Sequence, residues 1–188
     1  LRQMRLFIAV NFPEEIKRTL GAFIRSLSQI TSDLKWVREE NLHLTVQFLG
    51  NVPEEQVPAV SMALQKSVTG IAPFRLVLKG AGAFPSVERP RVLWVGIGGE
   101  TAPLLILQRQ VQREMGFMGF EPEKRKFSPH LTLARARSPY GFIDVMEKAR
   151  EDTGKAFGTA RIDSIELMLS DLQAKGPSYF VLSRAPLS

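Results

Sequence analysis

His43 and His130 are the only two histidines in the 188-residue chain, and each opens a similar tetrapeptide: His43-Leu44-Thr45-Val46 and His130-Leu131-Thr132-Leu133. An imidazole can both give and take protons near neutrality, and a threonine hydroxyl can donate a hydrogen bond to an anion. For a chain of this composition, the odds that both histidines are followed by Leu-Thr by chance are on the order of one in tens of thousands. Strict alternation puts Leu42, Leu44, Val46 and Phe48 on one strand face and His43, Thr45 and Gln47 on the other. The second motif repeats the pattern, with Leu131 and Leu133 opposing His130, Thr132 and Ala134. Each strand then buries its leucines and projects an imidazole and a hydroxyl side by side, about 7 Å apart along the strand.

Two such strands facing one cleft would gather two histidines and two threonines around a single small anion. That set suits in-line displacement at phosphorus, which needs a base on the incoming oxygen and an acid on the departing one. The non-bridging oxygens need fixed donors, a role for the hydroxyls and a nearby arginine. Positioning and electrostatics carry most of such chemistry, so no metal and no cofactor are expected. Catalytic zinc would require a third ligand, for which no recognisable spacing exists. A Gly-x-Ser-x-Gly elbow is absent, and Gly80-Ala81-Gly82 lacks the companions of a nucleotide-binding loop and reads as a turn. A lone histidine on a half-buried strand is ordinarily structural; a matched pair argues otherwise.

A net charge of +6 and a pI near 9.9 favour an anionic partner. Basic residues cluster at Arg89-Pro90-Arg91, at Lys124-Arg125-Lys126 and at Arg135 and Arg137, and two of these clusters flank the second motif. No stretch approaches the roughly 20 apolar residues of a membrane span, and Leu6 to Val10 is too short for a signal-peptide core. The absence of cysteine excludes disulfides and thiolate chemistry. A cytoplasmic monomer with no membrane partner is the expectation.

The elements that must position the motifs read as alternating strands and helices. Strands are predicted at Met4–Phe12, Lys35–Val37, Leu42–Leu49, Phe74–Leu78, Val92–Ile97, His130–Ala134, Ala160–Leu169 and Tyr179–Ser183. Helices are predicted from Pro13 to about Ile30, from Pro53 or slightly later because of Pro58, from Leu104 to Met115 with Thr101 as cap, and from Phe142 to about Asp152. A loop is predicted from Gly80 to Pro90. Short connections between adjacent strands imply an antiparallel α+β arrangement rather than a doubly wound parallel sheet. The motifs lie nearly half a chain apart within elements of similar order. Residues 1–188 are therefore expected to form one domain with two lobes related by approximate two-fold symmetry.

Paired His-x-Thr-x motifs in a basic chain of this size resemble the 2H phosphoesterase superfamily, and within it the RNA 2′,3′-cyclic phosphodiesterases, also called 2′-5′ RNA ligases. The resemblance extends to Met4-Arg5-Leu6-Phe7-Ile8-Ala9-Val10, to Phe48-Leu49-Gly50, to Arg91-Val92-Leu93-Trp94-Val95-Gly96 and to Pro129 through Arg135. It implies pseudo-symmetric antiparallel lobes with outer helices around a central cleft. It also implies a hydrolase that opens RNA or nucleoside 2′,3′-cyclic phosphates to 2′-phosphomonoesters, with 2′-5′ RNA ligation as a possible reverse reaction. Carried over by motif position, His43 is the proton donor and His130 the proton acceptor. Thr45, Thr132 and Arg135 hold the phosphate. The competing readings are a small-molecule cyclic phosphodiesterase of the ADP-ribose cyclic phosphate type and a non-catalytic protein that binds RNA ends. No aromatic pair is placed by spacing to stack a base; Trp36, Phe84, Trp94 and Phe127 are candidates that also fit a core.

Overall fold

The apolar faces read from the sequence assemble into one antiparallel sheet with helices packed on one side. A computed structural model describes residues 1–188 except Ser32, Val87, Asp152, Thr153 and Lys155. The chain runs β1 (Gln3–Asn11), α1 (Glu14–Ser28), β2 (Leu34–Trp36), a 3-10 turn (Glu39–Asn41), β3 (His43–Pro53), a second 3-10 turn (Glu54–Gln56) and α2 (Val57–Ser67). It continues through β4 (Phe74–Pro85), β5 (Pro90–Gly99), α3 (Thr101–Phe117), β6 (His130–Ala136), α4 (Phe142–Glu151), β7 (Ala156–Ile162), β8 (Ser164–Gln173) and β9 (Gly176–Pro186). In α1 the residues at helical spacing, Ile16, Leu20, Phe23, Ile24 and Leu27, are all buried, and Glu14 and Glu15 sit where the helix dipole favours acids.

Strand order is β7-β4-β5-β6-β3-β1-β8-β9, with β2 added beside β6. Two four-stranded lobes thus meet at β3 and β6, the strands that begin with the two histidines. β1 beside β3 corresponds to β5 beside β6, and α1 and α3 each follow the corresponding strand. The lobes do not coincide with the halves of the chain, because β8 crosses back to pair with β1. Helices α2 and α3 pack together and against β9 and β3, while α1 and α4 lie against β7 and β4. One continuous apolar core fills the space between helices and sheet. A small cluster of Phe7, Ala9 and Met168, with Tyr179 against it, covers the other face of β1. The α+β architecture expected from the alternation of elements is the one observed.

Three details depart from the sequence reading. The expected loop from Gly80 to Pro90 is mostly the end of a hairpin, since β4 and β5 pair from Leu76↔Gly99 to Pro85↔Pro90. Gly82 is needed there for packing rather than turning, because a Cβ at this position would run into the Trp94 ring. Thr101 does not cap α3; it is the first residue of the helix, and Glu100 precedes it. The single strand expected over Ala160–Leu169 divides at Asp163 into β7 and β8, which serve different lobes. The second helix, by contrast, starts slightly later than Pro53 as expected: it begins after the 3-10 turn, with Pro58 in its first turn where no N–H is missed. The Asp152 end of the fourth helix lies outside the described residues.

Candidate active site

β3 meets β6 through the pair Leu44↔Leu131. Both leucines point into the core and are at most 1% exposed. In a pleated strand the neighbours of a buried residue take the opposite face, so His43, Thr45, His130 and Thr132 flank this crossing on the side away from the helices. Carrying the register one residue each way sets His43 across from Thr132, and Thr45 across from His130. All four line one cavity of about 600 Å³, together with Arg135, Lys35 and Asn41.

The imidazoles are held in the same way. His43 Nδ1 donates to the Asn41 carbonyl at 2.7 Å, and His130 Nδ1 donates to the Ser128 carbonyl at 2.7 Å. With Nδ1 carrying the hydrogen, each neutral ring keeps its lone pair on Nε2. The two sites differ at Nε2. For His43 it is 2.9 Å from Thr45 Oγ1, which donates to it, whereas His130 has no such partner among the described residues. The side chains of His43 and Thr45 therefore lean together, closer than their spacing along the strand. Rings support both histidines: Phe7 lies 4.9 Å from His43 and Tyr179 5.3 Å from it, edge-on, while Phe84 sits edge-on to His130 at 4.8 Å.

Burial pushes the His43 imidazole below its ordinary pKa of 6.5. The Asn41 carbonyl opposes this, and the charges of Lys17 and Arg135 add to it. Protonation of the folded state is thereby disfavoured, while the unfolded chain takes up the proton at the ordinary value. His43 thus contributes stability above that value that is lost as pH falls below it, toward the depressed folded pKa. Denaturant midpoints measured from about pH 8 to about pH 5 should decline, and His43→Gln should flatten that part of the curve.

Arg135 follows the second motif on β6, paired with Lys35 of β2 and Val92 of β5, and its exposed guanidinium stands at the cavity rim. The structure thus gathers His43, Thr45, His130, Thr132 and Arg135 around one volume. Alternation fails just beyond the first motif. β3 carries an extra residue between Thr45↔Ala9 and Gln47↔Ile8, a bulge that reverses the faces of the residues after it. Gln47 turns inward and is 4% exposed, while Phe48 turns to the cleft beside Phe7. None of Trp36, Phe84, Trp94 and Phe127 lines the cavity; its rings are Phe7, Phe48 and Tyr179. Nothing in the spacing pointed to Tyr179, because it reaches His43 only through the pairing of β9 with β8. The β8–β9 tip is latched over the site by Arg38 Nη2 donating to the Lys175 carbonyl at 2.7 Å, and by Asn41 Nδ2 donating to the Pro177 carbonyl at 2.8 Å. No helix among the described residues is long and apolar enough to cross a membrane.

Comparison with known proteins agrees with this architecture. The sequence model of the LigT-like phosphoesterases matches residues 10–94 and 97–179, one segment around each motif. A protein of Aeropyrum pernix named RNA 2′,3′-cyclic phosphodiesterase is 36% identical over 157 residues, covering 84% of this chain and 88% of its own length. One of the same name from Thermotoga maritima is 35% identical over 179 residues, covering 95% and 93%. Among solved structures, a Thermus thermophilus protein superposes with a TM-score of 0.74 at 30% identity over 98% of each chain. Escherichia coli LigT complexed with 3′-AMP gives 0.78 at 25% identity over 100% of this chain and 99% of that one. Two facing His-x-Thr strands and matches along nearly the whole length lead to one conclusion: this chain belongs to the LigT-like phosphoesterase family.

Proposed function

We propose that the protein hydrolyses 2′,3′-cyclic phosphate ends of RNA, or of nucleosides, to 2′-phosphomonoesters, as the names of its relatives suggest. The observation that carries this reading is the placement of both histidines and both threonines on one cavity across the β3–β6 crossing. In this scheme His130 Nε2, which has no hydrogen-bond partner among the described residues, takes a proton from water as the water oxygen bonds to phosphorus. The P–O3′ bond breaks on the opposite side, and protonated His43 Nε2 gives its proton to the departing 3′ oxygen. The products are a 2′-phosphate and a 3′-hydroxyl; solvent exchange then returns a proton to His43 and removes one from His130.

Thr45, Thr132 and Arg135 stabilise the non-bridging oxygens, whose charge must be met by donors fixed in advance. Burial disfavours protonated His43, and the charges of Lys17 and Arg135 add to this. An incoming phosphate anion offsets those charges and allows the ring to hold its proton. A terminal 5′-hydroxyl replacing water would, by the same displacement, join two strands through a 2′-5′ linkage. Residues 1–188 act in this reading as one bilobal domain, and a monomer suffices because one chain supplies both motifs.

The test is incubation of the protein with a 2′,3′-cyclic-phosphate-ended oligonucleotide and with 2′,3′-cyclic mononucleotides in excess chelator, with phosphorus NMR of the product. A 2′-phosphomonoester formed at undiminished rate in chelator is the expected result. A 3′-phosphate would overturn the geometry of attack, and binding without product would leave an RNA-end-binding protein.

A further inference from the structure

The cavity continues well past the histidines and threonines. On β1, Arg5 and Phe7 share the cleft face with Ala9, which pairs with Thr45, so Arg5 stands about 13 Å along the strand from the Thr45 row. Arg5 pairs directly with Asn51 of β3. The β1–β8 register, continued one residue beyond Leu6↔Leu169, brings Ser170 to the other side of Arg5, and Ser170 in turn pairs with Tyr179. Arg5, Asn51 and Ser170 all line the same cavity as the two histidines. Among the described residues the Arg5 guanidinium makes no hydrogen bond and no ion pair. Its charge nonetheless reaches the cavity, where it and Arg135 both act on the half-buried Tyr179 hydroxyl. An aromatic wall of Phe7, Phe48 and Tyr179 thus lies between two guanidiniums, one beside the second motif and one at the far end.

We propose that Arg5, with Asn51 and Ser170, forms a second phosphate subsite that takes the phosphodiester on the 5′ side of the terminal nucleoside. The inference rests on the cyclic phosphodiesterase reading above and narrows its substrate to the end of an RNA strand. A guanidinium fork matches two phosphate oxygens at once, and the amide and hydroxyl beside it offer further donors. The rings between the two anion sites present a face to the nucleobase, whose stacking is tolerant of sequence. A cyclic mononucleotide would fill the first site and the aromatic wall but leave Arg5 without a partner.

Equilibrium titrations at fixed salt with adenosine 2′-monophosphate, adenosine 2′,5′-bisphosphate and a dinucleotide carrying a 2′-phosphate test this directly. In the wild type both 5′-linked phosphates should tighten binding roughly tenfold over the monophosphate. In Arg5→Gln the gain should shrink to less than about twofold, and Asn51→Ala should show a smaller loss of the same sign. Because Arg5 is exposed, its replacement leaves the core untouched. Tightening by the bisphosphate alone would place a free 5′-phosphate, not a phosphodiester, at Arg5 and overturn the strand reading. An equal gain in wild type and Arg5→Gln, or an equal loss for all three ligands, would remove the subsite altogether. Binding is read here without turnover, so failure of the hydrolysis assay on the wild type counts against the phosphodiesterase reading and not against this one.

Discussion

His43→Ala and His130→Ala should each lower kcat for cyclic phosphate hydrolysis by roughly three orders of magnitude, within the range that positioned acids and bases supply. The two losses should not add, because both groups act in one displacement and removing either leaves the other without its step. The pH profiles separate the roles. kcat/KM reports the free protein and kcat its complex with substrate. With His43 as donor, the alkaline limb belongs to its deprotonation, and His43→Ala should abolish that limb while His130→Ala abolishes the acidic one. Burial and neighbouring cations hold the free His43 low, and bound phosphate counters them. The alkaline limb should therefore fall at lower pH in kcat/KM than in kcat. Loss of the acidic limb instead of the alkaline one in His43→Ala would exchange the donor and acceptor assignments, and full activity in either alanine variant would end the acid–base scheme.

Removing the hydroxyls is the next largest expected effect. Thr132→Val should lower kcat by about 10²-fold, the cost of losing one fixed donor to a developing anionic charge, with little change in fold because valine has nearly the same shape. Thr132→Ser should recover most of the rate. Thr45→Val should cost at least as much, since its hydroxyl also donates to His43 Nε2 at 2.9 Å and sets the orientation of that ring. The distinguishing measurement is the pH profile. Thr45→Val should shift the limb assigned to His43, whereas Thr132→Val should lower the plateau without moving either limb. Comparable activity of wild type and both valine variants would show that the phosphoryl oxygens are held elsewhere.

Local chemistry was the part most readily read from the chain. Regular alternation of apolar residues around His43 and His130 predicted two half-buried strands, and β3 and β6 begin at those residues. Helical spacing in α1 likewise named its buried face. Long-range pairing was not legible in this way. The division at Asp163 sends β7 to β4 and β8 to β1, and no local signal distinguishes a strand that ends from one that changes partners. The bulge after Thr45 was hidden for a related reason: it exists only relative to β1, and Val46 and Gln47 look like any other strand residues in isolation. That single inserted residue brings Phe48 to the cleft and sends Gln47 inward.

By its own residue pattern the sequence determined the composition of the site, two imidazoles and two hydroxyls on strands with apolar backs, together with the basic charge that would favour an anionic ligand. Side-chain type and a period of two suffice for that, because both are properties of contiguous residues. Only the tertiary structure decided that the two strands cross at Leu44 and Leu131, so that their polar faces share one cavity. It alone brought Tyr179 and Arg5 to that cavity, and it alone made the first histidine harder to protonate. These outcomes depend on which strand lies beside which and on how much water is excluded between them, and both are set by packing of the whole chain.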